Sequence, residues 1–158
     1  MYNAPMLIEL DDIKKKMTPG QRLLGLDLGS KTIGVALSDI MCNIATPMEI
    51  IRRTKFTKDA ERLMTIIGEQ NVGGLILGFP LNMDGTEGPR CQSTRQFAQN
   101  IYGKIEIPIA LWDERLSTAA VTRTLLEADA SRKRRKEVID KMAAAYILQG
   151  ALDKLSLV

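Results

Sequence analysis

The chain contains no histidine. That excludes Ser-His and Cys-His nucleophilic systems and the histidine-based zinc hydrolase motifs. Hydrolytic chemistry would have to rest on carboxylates, lysines, hydroxyls or a hard metal held through oxygen, and carboxylate sites suit Mg2+ or Mn2+. Cysteine is scarce as well. Cys42 and Cys91 make neither a disulfide framework nor a zinc site, so buried, reduced thiols are the expectation. No apolar run approaches the roughly 18 residues that suggest a membrane span. The opening residues, MYNAPMLIELDDIKKK, lack the basic start and apolar core of a secretory signal. Together these absences point to a cytoplasmic chain with no membrane partner.

What is present suits one globular domain. A length of 158 residues with 45% hydrophobic content can bury a core without disulfide staples. The net charge is only +3, but the positive charge is clustered. Arg52, Arg53, Lys55 and Lys58 form one basic stretch, and Arg132, Lys133, Arg134, Arg135 and Lys136 a denser one. Such runs either neutralise phosphates or form solvated loops.

Residues 1–20 read as a polar lead-in, a short helix or loose extension ending at Thr18-Pro19-Gly20, before a single domain over residues 21–158. Arg22 to Leu28 reads as a buried strand, Gly29 to Thr32 as a turn, and Ile33 to Ser38 as the second strand of a hairpin. Ile44 to Ile51 reads as a third strand, which Pro47 assigns to an edge. Thr57 to Gln70 carries apolar residues at helical spacing, and Val72 to Leu77 is again a strand. A loop over Leu81 to Pro89, a helix from Gln92 to Tyr102 and a strand from Ile105 to Trp112 follow. Ser117 caps a helix through Leu126; then comes the basic loop and a last helix from about Lys136 to Leu155. A hairpin meander followed by alternating helix and strand implies an α/β fold: a five-stranded mixed sheet with helices on both faces. That element order is the ribonuclease H-like one. Sites in such sheets gather at the carboxyl ends of strands, here Asp27–Gly29, Gly78–Pro80 and Trp112–Glu114.

Three acids stand out. Asp27 sits in an apolar strand, sharing one face with Leu23 and Gly25 while Leu24, Leu26 and Leu28 share the other. A carboxylate there is costly to bury unless paired, hydrogen-bonded or metal-bound; the plainer role is to cap the following turn. Asp140 shares a helical stripe with Ala143, Ala144, Ile147 and Ala151, the core face of the last helix, although an acid in a first turn also favours the helix dipole. Glu114 follows a strand, where a loop can present it beside Asp27 or leave it in an ordinary charged loop. Converging from two strand ends and a helix, the three would repel one another, and a hard dication relieves that repulsion and supports phosphodiester hydrolysis. Around them, the glycine-containing segment from Gly78 to Gly88 leads into a helix and offers backbone amides to a phosphate. Lys31, Arg90 and Arg115 are weaker candidates for substrate contact.

The segments LLGLDLGSKTIGVALSD, ILGFPLNMDGTEGPR, WDERLSTAAV and IDKMAAAYILQGALD resemble, in order, the motifs of the YqgF family. Its members are also called RuvX or Holliday junction resolvase-like proteins and are described as pre-16S ribosomal RNA nucleases. The resemblance covers roughly residues 22–155 and leaves the first twenty outside. It implies a ribonuclease H-like fold, metal-dependent nuclease chemistry with Mg2+ or Mn2+, and a cytoplasmic role in maturing the 5′ end of small-subunit ribosomal RNA. The family's strand-one Asp falls on Asp27, the Glu of its DER motif on Glu114, and the Asp before its alanine-rich last helix on Asp140. The expected partner is precursor ribosomal RNA, with or without ribosomal particles, for a monomer or weak dimer. Two alternatives share these residues: a resolvase of branched DNA, which favours a symmetric dimer, and a non-catalytic RNA-binding assembly factor. GLDLGSKTIGVA also resembles the phosphate-binding hairpin of actin-like and sugar-kinase ATPases, which need two such domains where this chain has room for one.

Overall fold

A computed structural model describes residues 7–116 and 132–157, the side chains of the latter segment from residue 142. The helix expected over Ser117–Leu126 lies outside the described residues. The sheet has five strands: β1 (Arg22–Leu28), β2 (Thr32–Ser38), β3 (Ala45–Arg52), β4 (Val72–Phe79) and β5 (Ile109–Asp113). Their order is β3-β2-β1-β4-β5. The first three pair antiparallel, and β4 and β5 join in parallel, as a mixed sheet requires. Pro47 lies on β3, an edge strand, where a missing N–H costs the ladder least.

Helices cover both faces. Helices α2 (Phe56–Glu69) and α3 (Pro89–Tyr102) close one side, where Leu63, Ile66, Phe97 and Ile101 pack on Leu24, Leu26, Leu75 and Leu77. The long α4 (Arg132–Leu155) and the short α1 (Leu10–Ile13) close the other, with Ala144, Ile147, Leu148, Leu10 and Ile13 on Leu23, Ile76 and Trp112. The alternation along β1 divides these two cores: even-numbered leucines face α2 and α3, while Leu23 faces α4. Glycine at position 25 lets α4 approach. A Cβ there would stand 2.6 Å from the Leu148 Cβ and 3.2 Å from the Ala144 carbonyl oxygen.

Beyond shifts of one to three residues at other ends, three features differ from the sequence expectation. Strand β5 begins at Ile109 rather than Ile105, because Ile105 and Ile107 donate to nearby carbonyls, those of Ile101 and Ile105, and Pro108 has no N–H to give a ladder. The basic run from Arg132 is helix, not loop: α4 starts there, as suits lysine and arginine, which are good helix formers. The lead-in segment contributes to the core from Leu7 onward, bridging β5 in parallel through Ile109 and burying Leu10 and Ile13. Both cysteines are buried and free.

Candidate functional site

The carboxyl ends of β1, β4 and β5 lie side by side. Asp27 pairs across the hairpin with Gly34. On its other side Leu26 pairs with Leu77, so the next step along both strands sets Asp27 beside Gly78, which in turn pairs with Trp112. Asp27 is only 6% exposed, one of four buried polar or charged residues among those described. Burial of a carboxylate costs several kcal/mol unless other groups stabilise its charge.

Glu114 opens a 3-10 turn after β5 and folds back over β4. Its Oε1 lies 2.6 Å from where a Cβ on Gly78 would stand, and the Ile147 Cδ1 of α4 lies 2.5 Å from the same point. Gly78 is therefore the floor on which Glu114 rests, roofed by α4. Because strand neighbours alternate, Asp27 belongs to the face of Leu23 and Gly25, the α4 face on which Glu114 also lies. Both acids make interactions within the molecule.

Asp140 lies in α4, one turn before Ala144 and two before Ile147; its side chain is outside the described residues. Among the described residues no group of three His, Cys, Asp or Glu side chains stands at metal-binding spacing.

The flanking acid, Asp113, is committed elsewhere. The Arg115 guanidinium donates to both its oxygens, at 2.7 to 3.1 Å, and this hydrogen bonding holds its carboxyl below the usual range despite partial burial. The other arm of Arg115 reaches the Met83 carbonyl at 3.3 Å, so this residue braces the loop after β4. That loop is organised from within. The amides of Leu81, Asn82 and Gly85 donate to carbonyls of Phe79, Thr86 and Asn82, and the Thr86 amide donates to Asp84. Those four N–H groups are thus already used, which leaves the expected phosphate cradle without them. Gly85, at φ +89°, makes the reversal.

Lys31 is exposed at the tip of the β1–β2 turn, closed by a Gly29 to Thr32 hydrogen bond of 2.8 Å. Arg90, in the first turn of α3, donates to the Leu28 carbonyl at 3.3 Å, on the sheet face away from the acids. Arg53, one residue of its basic stretch with nothing in the sequence to distinguish it, donates to the Gly29 carbonyl at 2.7 Å; only the fold of β3 beside β2 brings it there.

Known proteins bear on this geometry. A family model described as "RuvX: Holliday junction resolvase" matches residues 21–154. A protein of Paramagnetospirillum magneticum named "Putative pre-16S rRNA nuclease" is 66% identical over 145 residues, covering 92% of this chain and 94% of that one. One of the same name from Methylocella silvestris is 55% identical over 152 residues, covering 96% and 94%. Among solved structures, RuvC of Thermus thermophilus in complex with a Holliday junction substrate matches with a TM-score of 0.52 at 9% identity, over 86% of this chain and 96% of that one. That likeness is one of fold, the ribonuclease H-like one anticipated from the element order. With the family model matched across nearly all of the sheet and α4, and relatives this similar over almost their whole length, the chain belongs to the RuvX family.

Proposed function

We propose that the protein is a metal-dependent nuclease that processes the 5′ end of pre-16S ribosomal RNA in the cytoplasm. The observation that carries this reading is the placement of Glu114 over Gly78, on the face and at the strand ends where Asp27 is buried. The names of the relatives support the substrate.

Asp27, Glu114 and Asp140 are the proposed catalytic and metal-holding residues. For Asp140 the support is helical spacing. It shares a stripe with Ala144 and Ile147, the residues that meet Gly25 and Gly78 in the sheet. The donor set fits a hard divalent cation, Mg2+ or Mn2+: it offers carboxylate oxygens and no imidazole. When bound, such a cation supplies charge neutralisation at the scissile phosphate and lowers the pKa of an attacking water. The chain's own part is positional. Strand β1 fixes Asp27, and the contact with Ile147 and Gly78 limits where the Glu114 carboxylate can go. The apolar side chains of α4 keep bulk water from behind the acids, which strengthens every charge interaction in front of them. Lys31, on the exposed turn, is free to approach the substrate backbone.

The deciding experiment is cleavage of end-labelled precursor ribosomal RNA by purified protein with Mg2+ or Mn2+, with chelator, and by Asp27→Asn. Cleavage that requires both metal and Asp27 is the expected result. Equal cleavage by Asp27→Asn would remove Asp27 from the site. A second reading, branched DNA as substrate, is favoured by the family description alone; the same lanes with a four-way DNA junction separate the two.

A further inference from the structure

Four arginines and lysines of the described residues are ion-paired: Lys15 with Asp12, Arg62 with Glu49, Arg95 with Glu87 and Arg115 with Asp113. Arg53 and Arg90 are arranged differently. They come from separate elements, the segment after β3 and the first turn of α3, and converge on consecutive carbonyls of the β1–β2 turn. Arg53 Nη1 donates to Gly29 at 2.7 Å and Arg90 Nη2 to Leu28 at 3.3 Å. Neither has a carboxylate within ion-pair distance among the described residues. A carbonyl fixes the orientation of a guanidinium but carries no net charge to neutralise it, so two positive charges are gathered with no carboxylate paired to them among the described residues.

Between them lies a pocket of about 190 Å3 whose lining includes Gly29, Ser30, Arg53, Arg90, Ser93 and Phe97. The Arg53 guanidinium also lies 5.8 Å from the Phe97 ring centroid, a cation–π contact that further limits its freedom. Phe97 itself is buried in the core beneath α3. Arginine is the side chain suited to a phosphate, because its planar fork offers paired donors. The pocket lies on the α3 side of the turn that begins at Gly29, two residues after Asp27. Strand residues advance by about 3.3 Å each, so the carbonyls of Leu28 and Gly29 follow Asp27 by one and two residues along the backbone.

We propose that Arg53 and Arg90 form a phosphate anchor for the nucleic-acid strand being cut. The anchor grips a phosphate beside the scissile one, so that the strand crosses the β1–β2 turn from the α3 face to the carboxylates on the α4 face. This rests on the nuclease reading for its substrate, and it adds a specific residue pair that holds the backbone without reading its sequence.

The test is equilibrium binding of a short labelled single-stranded oligoribonucleotide across a salt series, in an Asp27→Asn background that keeps the probe intact. The variants are Arg53→Gln, Arg90→Gln, both together, and the matching lysine substitutions. Loss of one phosphate contact on a single strand lowers the slope of log K against log salt by about 0.7. The double glutamine variant is expected to show that drop, with affinity at low salt weaker by at least roughly tenfold. The lysine pair should retain the slope while losing part of the affinity, since the point charge remains but the fork does not. In cleavage with Asp27 restored, KM should rise more than kcat falls. Unchanged slope and affinity in the double variant would overturn the anchor, even if wild-type protein cleaves the precursor. Conversely, if wild-type protein cleaves nothing, the nuclease reading falls while the salt slopes still decide the anchor. Thermal unfolding of each variant accompanies the binding. If the glutamine pair does not fold, the lysine pair decides: equal affinity to the parent would then overturn the proposal.

Discussion

Replacing Gly78 with alanine would test how Glu114 is held, and replacing Gly25 supplies the comparison. At position 78 the new methyl would stand 2.5 Å from Ile147 Cδ1 and 2.6 Å from Glu114 Oε1. Both atoms are the far ends of flexible side chains. Each can retreat by the better part of an ångström to reach ordinary contact, so the stability loss should sit near the low end of the overpacking range, about 1 kcal/mol. Reduced freedom of the unfolded chain offsets part of that, roughly 0.4–1 kcal/mol. Tm should therefore fall by no more than about 4 °C. Catalysis should respond differently, because a carboxylate displaced by about 1 Å can cost on the order of 100-fold in rate. At position 25 the obstacles are Leu148 Cβ at 2.6 Å and the Ala144 carbonyl at 3.2 Å, atoms fixed to the helix backbone. They yield only if α4 shifts bodily, so Gly25→Ala should cost about 3 kcal/mol. Single-turnover cleavage beside thermal unfolding separates the effects. Gly78→Ala should be folded and slow, whereas Gly25→Ala should be unstable. A Gly78→Ala protein that is folded and cleaves at the wild-type rate would refute the placement of Glu114 as a catalytic feature. Equal stability losses at the two positions would refute the packing argument.

Other outcomes follow from the same structure. Gly150→Ala places a Cβ 3.0 Å from Cζ2 and Nε1 of Trp112, the single tryptophan, so its fluorescence should shift as β5 and α4 adjust, with a loss of about 1 kcal/mol; an unchanged spectrum would contradict the contact. Arg115→Gln removes the partner that depresses Asp113 and the bond to Met83. The Asp113 carboxyl should then titrate higher by NMR and amides across residues 80–88 should exchange faster; an unmoved Asp113 titration would sink that assignment. Asp113, Glu49 and Asp39 all have folded pKa values depressed below the ordinary carboxylate range, through Arg115, through Arg62 and through the Ile44 amide respectively. Depressed values mean stabilisation that is fully present above the unfolded pKa, about 4, and lost as pH falls through the folded one. With no histidine to titrate, Tm should be nearly flat from about pH 5.5 to 7.5 and drop below about pH 4. A decline already at pH 6 would show that other groups govern acid stability.

Much of the fold was legible in the residues. The apolar run RLLGLDL marked β1 with its observed ends, because a strand buried on both faces between two helix layers needs apolar residues on each. Pro47 marked an edge, and of Ala60, Leu63, Met64 and Ile67, the apolar residues at helical spacing, three line the inner face of α2 while Met64 is exposed. Less legible was β5, since Ile105 and Ile107 are as apolar as true strand residues and only local hydrogen bonding withdraws them from the ladder. The basic run at the start of α4 was equally ambiguous, because lysine and arginine suit a solvated loop and a helix alike.

For the candidate site, Asp27 was marked by the sequence itself: a carboxylate continued by an apolar residue inside a buried strand is anomalous wherever the chain is read. The absence of histidine likewise confined the chemistry to carboxylates, lysines, hydroxyls or a metal held through oxygen. Within Asp113-Glu114-Arg115, however, composition cannot say which acid pairs with the arginine and which lies over the sheet. The tertiary structure decided it, by ion-pairing Asp113 to Arg115 and laying Glu114 across a glycine of the neighbouring strand. The convergence of Arg53 and Arg90, separated by two elements in the chain, was also a tertiary outcome. Burial leaves its mark locally, in the pattern of apolar and polar residues along one segment. Juxtaposition of charges from distant segments depends on register and crossover, which no single segment encodes.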